Sequence, residues 1–89
     1  MIDITYFIKK FITDSDSQIT EKNKITIERP ETFDELVEKI KTEFKLDGKE
    51  FSIKMDKDNE PVNVNDKNYA NDKSLKYYVY EIVKENEDA

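Results

Sequence analysis

The sequence predicts an α+β domain in which one main helix packs across one face of a mixed sheet of four to five strands. Two patterns support this prediction. A segment near the middle of the 89 residues repeats apolar residues at helical spacing, and the segments on both sides alternate apolar and polar residues. Five Tyr and five Phe residues supply bulk for one core. We assign residues 1–84 to a single domain and residues 85–89 to an acidic, flexible tail.

The segment before the helix predicts two strands. The inward positions of the first strand are apolar and comprise Ile2, Ile4, Tyr6 and Ile8. Phe7 breaks this alternation, and the phase shifts again at residues 11–12, which indicates a β-bulge. Residues 13–23 are polar and predict a long, mobile connection. Residues 24–28 alternate cleanly, so the second strand is predicted to lead directly into the helix.

The helix is predicted from Phe33 to about Leu46. Thr32 and Glu35 form a capping box, in which the Thr hydroxyl and the Glu carboxylate each satisfy an unpaired backbone N–H. One apolar stripe follows at three-four spacing and consists of Phe33, Leu36, Val37, Ile40 and Phe44. Gly48 is the only glycine of the chain and is predicted to close the helix with a left-handed C-cap.

Three shorter strands are predicted after the helix. Residues 51–55 alternate, residues 56–61 form a turn, and residues 62–64 form a short strand. Residues 65–73 are polar around Tyr69 and predict a loop. The last strand is predicted to place two tyrosines, Tyr78 and Tyr80, on the side of the sheet away from the core. The predicted core comprises Ile4, Ile25, Ile27, Leu36, Val37, Ile40, Phe44, Phe51, Ile53, Leu75, Tyr77 and Val79.

Charge and composition exclude several classes of function. The 21 acidic residues outnumber the 15 basic residues and give a formal charge of −6, so nucleic acid is not an expected partner. The chain contains no Cys and no His, which excludes disulfides, thiol or imidazole catalysis and the usual zinc sites. A single Gly leaves no Gly-rich phosphate loop. We therefore expect no enzymatic activity, no metal and no cofactor.

Location follows from the same patterns. No apolar run approaches the length of a membrane span, and the first residues lack the charged-then-apolar pattern of a signal peptide. We therefore expect no membrane partner. The absence of cysteine agrees with a cytoplasmic location, where disulfides are rare.

Two stretches of the sequence resemble the ubiquitin-like β-grasp superfamily. The first consists of residues 25–27, Pro30 and residues 32–37, and it resembles the transition from strand to helix in that superfamily. The second consists of residues 64–66, 69–71 and 74–79, and it resembles the closing loop, buried tyrosine and final strand. Within the superfamily the chain is most similar to the Phox-and-Bem interaction domains. The resemblance implies a β-grasp fold and a non-catalytic role in protein–protein interaction.

The acidic subtype of these domains carries a short acidic motif after the third strand. Asp56, Asp58 and Glu60 stand at the matching positions, and we call them the acidic turn. Asn59 replaces the usual Gly, and Asn tolerates the left-handed backbone of such a turn. A further acid is expected where this chain has Tyr69, and the nearest acids there are Asp66 and Asp72. The resemblance implies that this acidic motif pairs with a basic face of another domain.

The resemblance also implies a basic face on the first two strands. The candidate residues are Lys9, Lys10 and Lys24, whereas Thr5 stands at the aligned position of the first strand. Weak self-association is expected only if these lysines gather into one face opposite the acidic turn.

The acidic turn also fits two plainer interpretations. Acids and Asn are favoured in ordinary solvated turns. The spacing Asp-x-Asp-x-Glu is similar to the start of an EF-hand loop. Such a loop needs Gly where Pro61 stands and a bidentate Glu where Lys67 stands, so calcium binding is not predicted.

Tyr78 and Tyr80 form the second candidate site, because aromatic residues are enriched at interface centres. Strands also use tyrosine for cross-strand packing alone. Two hypotheses remain. The chain is an adaptor or scaffold domain that binds a basic surface of a partner domain through the acidic turn. Alternatively, it is a structural ubiquitin-like domain of a larger scaffold or cytoskeletal protein that associates through its exposed tyrosine face.

Overall fold

A five-stranded mixed sheet forms one layer of the protein, and the main helix packs across one of its faces. The computed structural model describes residues 1–71 and 74–84, except for the side chain of Lys57. The elements in chain order are β1 (Ile2–Phe11), β2 (Ser17–Ile27), α1 (Phe33–Phe44), β3 (Phe51–Lys57), β4 (Glu60–Asn63), α2 (Asp66–Asn71) and β5 (Lys76–Lys84). The predicted α+β class is confirmed. The acidic tail predicted at residues 85–89 lies outside the described residues.

The strands lie in the order β2-β1-β5-β3-β4. The central pair, β1 and β5, is parallel, whereas the three other neighbouring pairs are antiparallel. The register of the central pair places Ile4 beside Tyr77 and Phe7 beside Tyr80. Neighbouring residues in register share a face of the sheet, so each face combines side chains from the first and the last strand.

Helix α1 begins as predicted and ends differently. The Thr32 side chain accepts a hydrogen bond from the backbone N–H of Glu35, which confirms the N-terminal cap. The predicted C-cap at Gly48 is wrong. Lys45 has the left-handed backbone, with a φ of 56°, and Gly48 adopts a φ of 80° in the following turn. The helix stops earlier because Leu46 is fully buried and must leave the helix axis to reach the core.

The predicted long connection at residues 13–23 is also wrong. Strand β2 starts at Ser17 and pairs with β1 along its whole length. The turn is tight because the Thr13 hydroxyl accepts a hydrogen bond of 3.0 Å from the N–H of Asp16. Residues 17–24 are exposed on both faces and all but Ile19 are polar, which hid this part of the strand from an analysis of apolar periodicity.

A β-bulge is present, but it lies in β2: Tyr6 pairs with Asn23 and Phe7 with Glu21, so Lys22 is the extra residue. The bulge predicted in the first strand is therefore wrong, because Phe7 follows the regular alternation of β1 and faces away from the core.

Eleven of the twelve predicted core residues lie in the core or against it, and the structure adds five buried residues that the predicted core did not include, namely Ile2, Leu46, Met55, Val64 and Tyr69. The buried residues are Ile2, Ile4, Leu36, Ile40, Phe44, Leu46, Ile53, Met55, Val64, Tyr69, Tyr77 and Val79. The predicted members Ile25, Ile27, Val37 and Phe51 are partly buried against them. Leu75 is 67% exposed, so its predicted burial is wrong. It lies before the first residue of β5, where its carbonyl accepts a hydrogen bond from the N–H of Asp3.

A short helix occupies the segment that was predicted to be a loop. Asn65 and Asn68 cap α2 reciprocally, since each side-chain oxygen accepts a hydrogen bond from the backbone N–H of the other residue. Asn68 also donates to the carbonyl of Asn63 at 2.7 Å. The helix buries Tyr69, as the resemblance implied for this tyrosine.

Arg29 connects three segments that are distant in sequence. Its guanidinium donates hydrogen bonds to the carbonyl of Tyr69 at 3.0 Å and to the hydroxyl of Tyr77 at 2.8 Å. The same group lies 4.4 Å from the centre of the Tyr69 ring, a cation–π distance. The Tyr69 hydroxyl in turn donates to the carbonyl of Pro30 at 2.5 Å. These bonds attach α2 and the start of β5 to the segment that leads into α1.

We expect Phe44→Ala to lower the free energy of unfolding by about 3–5 kcal/mol, because it removes a large buried ring and leaves a cavity. Leu75→Ala is the matched control, and we expect it to change stability by less than about 0.5 kcal/mol, because Leu75 is exposed. Urea unfolding measures both values. Equal losses in the two variants would contradict this description of the core.

We expect Arg29→Lys to lower the free energy of unfolding by about 1–3 kcal/mol, although it conserves the charge. Lysine lacks the planar fork that binds the Tyr69 carbonyl and the Tyr77 hydroxyl together, so buried acceptors lose a donor. Lys24→Arg, the reverse exchange at an exposed position, is the control. Urea unfolding of Arg29→Lys with a midpoint like that of the wild type would show that charge alone is sufficient.

Candidate functional site

The acidic turn is a tight hairpin between β3 and β4. Lys57 and Glu60 form the last pair, so Asp58 and Asn59 are the two residues of the turn. Both have left-handed backbones, with φ angles of 54° and 68°, as a type I′ hairpin turn requires. The prediction that Asn59 supplies the backbone of the usual Gly is therefore confirmed.

The hairpin divides the three carboxylates between two faces. Side chains alternate along a strand. Asp56 pairs with Pro61, whereas Glu60 pairs with the next residue of β3, Lys57. Asp56 and Glu60 therefore point to opposite faces of the hairpin, and Asp58 lies at its tip. The hypothesis of one anionic face formed by all three acids needs this correction.

The segment after β4 places a carboxylate and an ammonium group near the acidic turn. Asp66 is exposed at the first position of α2, and Asp72 lies outside the described residues. Lys67 and Asp56 line the same depression of about 420 Å³, which is otherwise formed by Met55, Asn65, Asn68, Asn71 and Ser74. A lysine beside this carboxylate offsets part of its field.

The face of the sheet opposite α1, which we call the open face, carries an aromatic cluster on its two central strands. Phe7 of β1 and Tyr80 of β5 are stacked, with ring centroids 5.1 Å apart and planes inclined by 15°. Tyr78 lies beside Phe7 at 6.3 Å. Because of these contacts the two predicted tyrosines are half-buried rather than fully exposed. Phe7 was not predicted as a site residue, and its break in the inward alternation of β1 was the available signal.

A hydrogen bond connects the acidic turn to the aromatic cluster. The Tyr78 hydroxyl donates to a carboxylate oxygen of Asp56 at 3.3 Å. Burial raises the pKa of Tyr78, and the charge and hydrogen bond of Asp56 raise it further. Burial also raises the pKa of Tyr80, with a smaller contribution from Asp56. The two candidate sites of the sequence analysis are therefore parts of one continuous surface.

An open depression of about 390 Å³ crosses the open face diagonally. It runs from Pro61 and Asn63 of β4, at one edge of the sheet, to Ile19 of β2, at the other edge. Tyr80 lies within it. The residues that line it are Lys9, Ile19, Ser52, Lys54, Pro61, Asn63, Tyr80 and Ile82.

The three candidate basic residues do not gather in one place. Lys9 and Lys24 lie on the open face, but four residues of β1 separate Lys9 from Thr5, the partner of Lys24, a distance of about 13 Å. Lys10 follows Lys9 and points to the other face. These lysines therefore do not form the single basic face opposite the acidic turn that self-association was expected to require.

A second polar cluster lies on the helix-covered face. The Tyr6 hydroxyl donates to the buried carboxylate of Glu81, and the Lys49 ammonium lies 3.9 Å from the other carboxylate oxygen. Burial and this carboxylate raise the pKa of Tyr6 to about 12. The Tyr6 ring packs on Phe44 at 4.7 Å, so we interpret this cluster as part of the support of the core.

Within residues 1–71 and 74–84, no group of three or more His, Cys, Asp or Glu side chains is placed to hold a metal ion. In the same part of the chain, no helix is long and apolar enough to cross a membrane.

Comparison with known proteins finds no matching family model, no matching curated protein and no matching solved structure.

We expect Asp56→Asn to lower the pKa of Tyr78, because the variant removes the negative charge that opposes ionisation of the phenol. The pKa of Tyr80 should fall by less, since Asp56 acts on it through charge alone. Titration of the tyrosine ring carbons by NMR measures both values. Asp34→Asn on α1 is the control, and an equal response to both variants would contradict the contact.

Proposed function

We propose that this chain folds as a ubiquitin-like β-grasp. The strand order β2-β1-β5-β3-β4, with its parallel central pair, supports this assignment. The helix follows the first hairpin and packs across the sheet, as the superfamily pattern requires. A buried tyrosine, Tyr69, precedes the last strand, which agrees with the closing segment of that superfamily.

We further propose that the domain binds another protein without catalysing a reaction, and that the acidic turn docks on a basic surface of that partner. The hydrogen bond from Tyr78 to Asp56 is the observation that carries this proposal. It places a carboxylate at the edge of a half-buried aromatic cluster on the open face, so charge and apolar contact occur on one surface. Charge steers the encounter with a basic partner, and the aromatic side chains supply buried area.

A second candidate function rests on the aromatic cluster alone. In this alternative the chain is a structural domain of a larger scaffold or cytoskeletal protein, and it associates through the open face. The stacking of Phe7 on Tyr80, on the two central strands, favours it. Aromatic side chains at the centre of an exposed surface are typical of interface hot spots.

We expect partner binding to weaken with salt and with Asp56→Asn combined with Asp58→Asn, because both remove charge attraction. Proteins retained by the immobilised wild-type domain at low salt are identified, purified and titrated against each form by calorimetry. The matched control is Asp34→Asn combined with Glu35→Gln, which removes two charges from the exposed side of α1.

The outcomes separate the two candidates. Binding that is indifferent to salt and to the changes in the acidic turn, but is lost in Tyr80→Ser, favours the structural alternative. If the control on α1 weakens binding as much as the changes in the turn, net charge is responsible and the proposed site is wrong.

A further inference from the structure

The sheet has two edge strands, β2 and β4, and the free edge of β4 is largely closed to pairing with another strand. Strand β4 is only four residues long. The Val64 N–H bonds to the Ile53 carbonyl of β3. Backbone alternation therefore turns the polar groups of Pro61 and Asn63 outward. Pro61 has no N–H, and the Asn63 carbonyl already accepts a hydrogen bond from the Asn68 side chain.

The first half of β2 presents a different edge. The Ile12 N–H bonds to the Asp16 carbonyl across the β1–β2 turn, so Asp16 directs its carbonyl toward β1. Alternation then turns the backbone groups of Ser17, Ile19 and Glu21 outward, away from β1. This part of β2 pairs with β1 in unbroken register and contains no proline. The outward N–H and C=O groups therefore form a row that another strand can pair with.

A bulge protects the second half of β2. Lys22 is the extra residue there, and the Lys24 N–H donates to the side-chain oxygen of Asn23 at 2.8 Å. Bulges and lysines keep edge strands from pairing with other chains. Pairing of this edge is therefore limited to residues 17–21.

Residues 17–21 are self-complementary when two copies of the strand run antiparallel about Ile19. In that register Ile19 lies opposite Ile19 of the second copy, and Ser17 lies opposite Glu21. These residues direct their backbone groups toward each other, so about six hydrogen bonds can form. Ile19 is 54% exposed in the single chain, and the contact between two such side chains removes apolar area from water.

Opposite charges flank the paired residues. One position beyond them, Asp16 of each copy stands opposite Lys22 of the other, and both residues are exposed in the single chain. The two-fold axis repeats this pair, so a dimer contains it twice. Opposite charges on neighbouring strands stabilise pairing, whereas like charges oppose it. These pairs therefore favour this register and offset part of the repulsion between two chains of charge −6.

We propose that this chain forms a two-fold symmetric dimer through residues 17–21 of β2, which joins the two five-stranded sheets edge to edge. The contact uses the β2 edge of both copies, and the closed edge of β4 stops further growth. The acidic turn lies at the opposite edge of the sheet, so the dimer is independent of the proposed function. It adds valency, because a partner with two basic surfaces can bind both acidic turns at once.

Sedimentation equilibrium of the full chain at concentrations up to about 1 mM measures dimerisation, since so small an interface is weak. We expect an equilibrium between monomer and dimer and no larger species. Ile19→Pro should abolish the dimer, because it removes an outward N–H without removing a hydrogen bond to β1. Ile19→Val keeps this N–H and the β-branched side chain, so it is the matched control and should dimerise.

Two charge reversals provide a test that does not depend on proline. Lys22→Glu and Asp16→Lys should each weaken self-association by about tenfold, because each places like charges opposite each other twice. A mixture of the two variants should restore dimerisation, since every pair in the mixed dimer again has opposite charges. Lys39→Glu on α1 makes the same charge change at an exposed position outside the interface, and it should dimerise like the wild type.

Amide hydrogen exchange locates the interface. As concentration rises, exchange should slow at Ser17, Ile19 and Glu21 and stay unchanged at Asn63 of the β4 edge. Circular dichroism confirms that each variant is folded. A chain that stays monomeric at every concentration would overturn the proposal, even if a strand of another protein binds this edge. A dimer that persists in Ile19→Pro, or that is not restored by mixing the charge reversals, would also overturn it.

Discussion

The parallel pairing of the first strand with the last is the constraint on which the rest of the structure depends. It brings Ile4 beside Tyr77 on the helix-covered face and Phe7 beside Tyr80 on the open face. The first pair belongs to the core, and the second forms the centre of the candidate interface. A parallel pair needs a long connection between its strands. Here residues 12–75 provide it, and they include β2, α1, β3, β4 and α2.

The same alternation that builds the core also distributes the charges. Asp56 reaches the open face because it pairs with Pro61, while Glu60 is turned away from it. A linear acidic motif therefore becomes one carboxylate beside an aromatic cluster and one at the tip of a hairpin. The candidate surface follows from strand register more than from the local density of acids.

Features with a local cause could be predicted from the sequence. Helix α1 follows from its N-cap residue, Thr32, and from the apolar stripe of the helix. The hairpin turn follows from the tolerance of Asn59 for a left-handed backbone. The first part of β2, residues 17–23, was missed because these exposed residues are held by pairing with β1 rather than by burial. Leu75 was misplaced because a backbone contact with Asp3 sets where β5 begins. Helix α2 is too short for periodicity, although Asn65 and Asn68 carried a capping signal.

Arg29 is the only arginine in a chain that otherwise relies on lysine for its positive charge. Its hydrogen bonds to Tyr69 and Tyr77 close loops of 40 and 48 residues. A disulfide would close such loops at the expense of sensitivity to reducing agents. This chain has no cysteine, so its long-range closure uses a cation and two aromatic residues instead. The resulting cross-link is reversible on the timescale of folding and is independent of redox potential.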